Sequence, residues 1–127
     1  MIKMTVIVNG RPIEWQDTPP GLYITPVKEH ILWQDKQTGA KVVLRKIPKG
    51  EIHEYRHRHP HANHWGLMLS GEVVFPDGTH VTCSEYSYDF SYFPQNASHG
   101  GGPPGTRYTQ DTIVLIYFDG PETKVIE

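Results

Sequence analysis

Hydrophobic residues along the chain come in short runs separated by turn residues. Thr5-Val6-Ile7-Val8 leads through Asn9-Gly10 into Pro12-Ile13-Glu14-Trp15, and Asn-Gly between two such runs is the strongest short hairpin signal. Thr18-Pro19-Pro20-Gly21 breaks the chain again. Tyr23 to Val27 and His30 to Trp33 read as extended, Gln37-Thr38-Gly39 turns into Ala40 to Ile47, and Pro48-Lys49-Gly50 turns into a strand from Ile52 to His59. Trp65 to Leu69 closes at Ser70-Gly71, Glu72 to Phe75 at Pro76-Asp77-Gly78, and Thr79 to Cys83 follows. Tyr88 to Phe93 ends at Pro94, and Ile113 to Phe118 at Asp119-Gly120-Pro121. No window carries a 3.6-residue period. About ten short strands at regular spacing predict an all-β sandwich or barrel.

Side chains on a strand alternate between faces. The pattern therefore puts His53, Tyr55, His57 and His59 on one face, with Glu54, Arg56 and Arg58 on the other. Pro60 cannot donate to a ladder and tends to end a strand, so Pro60 to Asn63 reads as a turn. His64-Trp65-Gly66-Leu67-Met68-Leu69 then returns, with His64, Gly66 and Met68 facing His57 and His59. Trp65, Leu67 and Leu69 point the other way and need cover, from a second subunit in a homodimer or from the N-terminal hairpin. Tyr88, Phe90 and Tyr92 share a face and read as strand packing.

Composition narrows the class. A chain of 127 residues makes one domain with one core. Twelve glycines and eleven prolines leave few windows long enough for a helix. A net charge of -2 offers no basic footprint for nucleic acid. The single Cys83 cannot form an internal disulfide, which suits a reducing cytoplasm. No run approaches the ~18 apolar residues of a membrane span, and the start MIKMTVIVNG lacks a signal-like apolar region. The triplet Asn96-Ala97-Ser98 matches a glycosylation sequon but carries no weight in such a chain. The Gly/Pro-rich loop from His99 to Gly105 is a candidate rim or lid.

The histidines carry the candidate chemistry. Five of the eight fall between His53 and His64. Imidazole is the commonest neutral ligand for transition metals. Two ligands at i and i+2 on one strand, with a third from its neighbour, can share one ion.

With these residues in view, Gly50 to Gly71 resembles the first motif of the cupin superfamily: a glycine, a spacer, His-x-His, a position usually held by Glu, six residues and a second glycine. Here the parts are Gly50, His57-Arg58-His59, His64 and Gly71, with a six-residue first spacer instead of five. The stretch Tyr88 to His99 is similar to the second motif, a proline turn followed by histidine, with Pro94 as the proline and Asn96 in the glycine slot. Asn is the next best residue for a left-handed turn. The resemblance covers residues 40–118, with residues 1–39 as an N-terminal hairpin region suited to dimer formation, and it implies a single-domain cupin-type jelly roll. It also implies that His57, His59, His64 and His99 hold one divalent transition metal ion, Fe, Mn, Ni, Zn or Cu. His64 replaces the usual glutamate, so the ligand set is neutral and the ion keeps its full charge toward an anionic ligand. His61 is expected at the rim, and His53 and His80 outside the ligand set.

The implied function is a small metal-dependent enzyme of dioxygenase, isomerase or lyase type, acting on an oxygen-rich small molecule. A metal- or ligand-sensing module and a metal-free epimerase-like cupin are the alternatives. Tyr55 is a candidate proton carrier, with Tyr108 and Asp111 behind it, and Arg45 a candidate anchor for a substrate carboxylate.

Overall fold

The computed structural model describes residues 7–8, 10–51, 54–83, 89–100 and 104–127. Thirteen strands follow in chain order: β1 Ile7–Val8, β2 Arg11–Pro12, β3 Gln16–Asp17, β4 Lys28–Gln34, β5 Lys41–Ile47, β6 Gly50–Glu51, β7 His57–Arg58, β8 His64–Val74, β9 His80–Cys83, β10 Asp89–Phe93, β11 Arg107–Tyr108, β12 Thr112–Phe118 and β13 Val125–Ile126. The described residues contain no helix, so none is long and apolar enough to cross a membrane. The architecture is the expected all-β jelly roll. One layer runs β3-β4-β5-β12-β8-β10, and a second is made by β9 and β11 on the far half of β8, with β6 beyond β11. Every pairing is antiparallel.

The eleven-residue β8 joins the layers. Its first half pairs β12 and β10, and its second half pairs β9 and β11. The strand bends where the sequence pattern expected a break. Gly71 has φ of 117°, and a Cβ there would meet Thr112 Oγ1 at 2.1 Å, so only glycine lets β8 cross between sheets against β12. Thr112 is fully buried beside it. The expected separate strands Trp65–Leu69 and Glu72–Phe75 are thus one bent strand.

Other expectations shift as well. The hairpin signal is met by β1 and β2, which pair Ile7 with Pro12; Thr5, Val6 and Asn9 lie outside the described residues. Tyr23 to Val27 is a bent connection instead of a strand. The expected strand Ile52–His59 is confined to β6 and β7, and Ile52 and His53 lie outside the described residues. Tyr88 does too, whereas Phe90 and Tyr92 are 63% and 49% exposed. The inward residues of β10 are therefore the alternate set, Asp89, Ser91 and Phe93.

The packed centre is small: Val43, Ala62 and Phe118 are buried together, with Ile31 and Ile116 against them. Much of the remaining interior between the layers is an open cavity. On the outer face Trp65 stacks on Tyr92 and Tyr117, with ring centroids 5.2 and 5.4 Å apart.

Candidate metal centre

His57 and His59 lie on and just after β7, a two-residue strand whose pairing is unusual. His57 exchanges both backbone hydrogen bonds with His99, at 2.8 Å each. The two motifs, far apart in sequence, are thereby tied at the level of the main chain. The turn before His99 is built as its sequence implied. Asn96 has φ of 66°, Ala97 N–H donates to the Pro94 carbonyl, and Asn96 N–H donates to the His59 carbonyl at 2.9 Å. His64 opens β8 directly after the Pro60–Asn63 turn.

These connections bring the imidazoles together. The side-chain nitrogens of His57, His59 and His99 lie within 4.8 Å of one another. His64 adjoins this group, its ring centroid 5.1 Å from His59 and 4.9 Å from His99, held between the Phe93 and Phe118 rings. His57, His59 and His64 are buried. Orientation is set by hydrogen bonds on the far side of two rings. His57 Nδ1–H donates to the Tyr55 carbonyl at 2.7 Å, and His59 Nδ1–H donates to the Thr123 carbonyl at 3.1 Å. In that tautomer each ring keeps Nε2 free as an acceptor, the arrangement of metal-binding histidine.

Among the described residues two further nitrogens are fully buried without a partner. His64 Nδ1 and His99 Nε2 are buried and make no hydrogen bond, a condition that costs about 1–3 kcal/mol per group when nothing satisfies it. Burial, then His57 and the other imidazoles, pushes His99 down to about 3; burial and then His59 push His64 down to about 4. Burial also lowers His59. Burial thus favours the neutral, ligating form of His59, His64 and His99, and the cluster is incompletely satisfied. These properties fit a divalent transition metal.

The rings open onto a cavity of about 240 Å³, at the small end for ligand sites. Its walls join apolar side chains, among them Ile47, Met68, Phe93, Val114 and Ile116, to polar and charged ones. Arg45 lines it but its fork is occupied. Arg45 Nη1–H and Nη2–H donate to the two carboxylate oxygens of Glu122 (2.7 Å for the first), Nε–H donates to Glu29, and Nη1–H also reaches the Tyr23 hydroxyl. Lys41 meets Glu122 at 2.7 Å. Burial raises the Glu122 carboxyl, but Arg45 and Lys41 outweigh it and hold the group at about 2. Arg45 is therefore committed to an internal carboxylate, which corrects the expectation that it is open to a substrate.

Tyr55 also departs from expectation. Its ring is 57% exposed and it serves the site through its backbone carbonyl, because the segment before His57 is not a regular strand and parity fails there. Asp111 lies on the surface, accepting from Lys49 N–H. Tyr108 does line the cavity, with its hydroxyl raised to about 12 by burial and by Glu54 and Asp89. His61 is exposed, and His80 lies beside Glu72, away from the cavity lining.

Sequence patterns did not reveal Glu122, Thr123, Lys124 or Gly100. The first three follow Gly120-Pro121, which looked like the end of the fold, and no local period marks them. Gly100 stands in the loop read as a lid. A Cβ on Gly100 would come within 2.8 Å of the His57 ring, so its lack of a side chain is a packing requirement of the site.

No family model matches the chain, and no curated protein matches it by sequence. Solved structures do match by fold. A protein of Methylibium petroleiphilum PM1 assigned as an acetylacetone dioxygenase is 16% identical, with a TM-score of 0.66 over 100% of this chain and 85% of its own. An acetylacetone dioxygenase from Acinetobacter johnsonii is 10% identical, with a TM-score of 0.60 over 99% of this chain and 86% of its own. A cupin-2 domain from Rhodospirillum rubrum is 10% identical, with a TM-score of 0.57 over 99% of this chain and 81% of its own. The chain has the cupin fold.

Proposed function

We propose that the protein is a metal-dependent cupin enzyme that acts on a small molecule chelating through oxygen, with oxidative cleavage of a dicarbonyl as the leading reaction. One observation carries the proposal: four imidazoles line one end of the cavity, two with a buried nitrogen that no described residue satisfies. In this reading His57, His59 and His99 would hold the ion, with His64 completing the set. A bound ion would supply Lewis acidity toward a chelating oxygen and, where redox-active, access to dioxygen chemistry. The chain itself aims the rings through the Tyr55 and Thr123 carbonyls. Phe93 and Phe118 shield the cluster from water. Tyr108, protonated at neutral pH, offers a hydroxyl in the cavity where Tyr55 offers none. The two acetylacetone dioxygenases of similar fold favour a dicarbonyl over other chelating substrates.

Metal analysis of protein purified without a histidine tag should give about one equivalent of a transition metal. His59→Ala and His99→Ala should remove it, and His61→Ala should retain it; equal losses from all three would defeat the assignment. Oxygen uptake by the Fe(II)-loaded protein with a panel of β-diketones then tests the reaction, and inertness across the panel would favour a binding or sensing role.

The proposal includes a homodimer. A cross-strand row Tyr92, Trp65, Tyr117, Val42, Trp33 spans five strands of the outer face, and Trp33 is 50% and Tyr117 39% exposed. Sedimentation at micromolar concentration should give twice the chain mass; a monomer would reject this part.

A further inference from the structure

The cavity has a second end. Along β10 the inward side chains are Phe93, Ser91 and Asp89, opposite His64, Gly66 and Met68 of β8. At about 3.3 Å per residue, Asp89 stands about 13 Å along the strand from the histidine level. The level between them is open. Gly66 has no side chain, and a Cβ there would meet only Val114 Cγ1, at 3.7 Å. Tyr108 enters the far end from β11 and senses the Asp89 carboxylate.

The other charges around the cavity are matched. Arg45 pairs with Glu122 and Glu29, Lys41 with Glu122, and Lys124 with Glu54. Asp89 is only partly buried, lines the cavity, and forms no ion pair among the described residues. Among the described residues one negative charge is thus left uncompensated, four residues along β10 from the histidine level, with Ser91 and the open level at Gly66 between.

We infer that Asp89, with the Tyr108 hydroxyl, determines specificity for the distal end of the substrate and selects a protonated amine, joined by a short apolar spacer to the oxygen-chelating head. Only the head of this ligand rests on the proposed function. A charge-assisted hydrogen bond between carboxylate and ammonium is roughly twice as strong as a neutral one. A distal hydroxyl satisfies Asp89 less well, a methyl group leaves it without a partner, and a distal carboxylate is repelled.

The test uses four 1,3-diketones with one spacer, ending in methyl, hydroxyl, ammonium or carboxylate, titrated calorimetrically into metal-loaded and metal-free protein. The ammonium probe should bind about tenfold tighter than the methyl probe in both metal states. Asp89→Asn should bring the two within about threefold while leaving metal content and methyl-probe affinity unchanged, and Tyr108→Phe should lose part of the preference. Equal binding of the ammonium and methyl probes by the wild-type protein would overturn the inference. So would a preference that survives in Asp89→Asn, or no measurable binding of the ammonium probe at millimolar concentration. Failure of the metal reading looks different: metal loading would leave all four affinities unchanged while their order stands.

Discussion

Two polar clusters share the walls of one cavity and are built on opposite terms. The Arg45 cluster is charged and closed, with a guanidinium held by two carboxylates and a phenol, and Lys41 on the shared Glu122. The histidine cluster is open, with His64 Nδ1 and His99 Nε2 buried and without a hydrogen-bond partner among the described residues. Both required burying polar groups, which is costly unless they are satisfied. The fold satisfies the first from its own residues. It leaves two atoms of the second without a partner among the described residues, which is the observation on which the proposed metal rests.

The largest effect expected from breaking this contrast falls on the closed cluster. Arg45→Ala leaves Glu122 and Glu29 buried with less countercharge and should cost about 3–5 kcal/mol of stability, read as a lowered urea midpoint. The folded fraction should still take up metal, because no described histidine is hydrogen-bonded to the guanidinium. Loss of metal in a folded Arg45→Ala protein would erase the distinction between the clusters.

A smaller effect should follow from disturbing the open cluster without removing a ligand. Gly100→Ala places a methyl group against His57, at a backbone φ of 78°, and should weaken metal binding about 10- to 100-fold, as loss of ligand orientation does. Competition with a chelating dye measures it. Unchanged affinity would mean that His57 is not a ligand or that its ring has room to move.

Acid should separate the clusters by window, with the smallest effect per step. His64 and His99 are held down to about 4 and about 3, whereas the ordinary histidine value is 6.5. In metal-free protein the unfolded chain binds these protons first. Stability is therefore full above about pH 6.5 and falls below it by up to about 1.4 kcal/mol per pH unit for each ring. Glu122 is lowered from 4.5 to about 2, so its contribution is present above 4.5 and lost as pH falls through 2. His99→Ala should flatten the slope from pH 6.5 down to about 3 and leave the Glu122 contribution below pH 4.5 in place. Urea midpoints across pH 3–7 would show it, and an unaltered slope would count against the burial of His99.

Much of the site was legible because it is written locally. Alternation along β8 put His64, Gly66 and Met68 on one face, and Pro60 marked the turn that returns the chain to His57 and His59. Asn96 in a proline turn announced its left-handed backbone. Parity misled only where the strand was absent, at Tyr55. The roles of Arg45 and Glu122 could not be read, since their partnership spans 77 residues and either alone looks like a substrate anchor.

What the sequence by itself determined is the all-β character, most of the longer strands with their punctuation, and the shared facing of His57, His59 and His64, because side-chain alternation and turn chemistry act over a few residues. Only the tertiary structure decided that His99 pairs with His57, that the Thr123 carbonyl orients His59, and that Glu122 occupies Arg45. Those choices depend on the register of strands distant in the chain, which no local pattern encodes. They also determine which buried polar atoms are satisfied and which are left to a ligand.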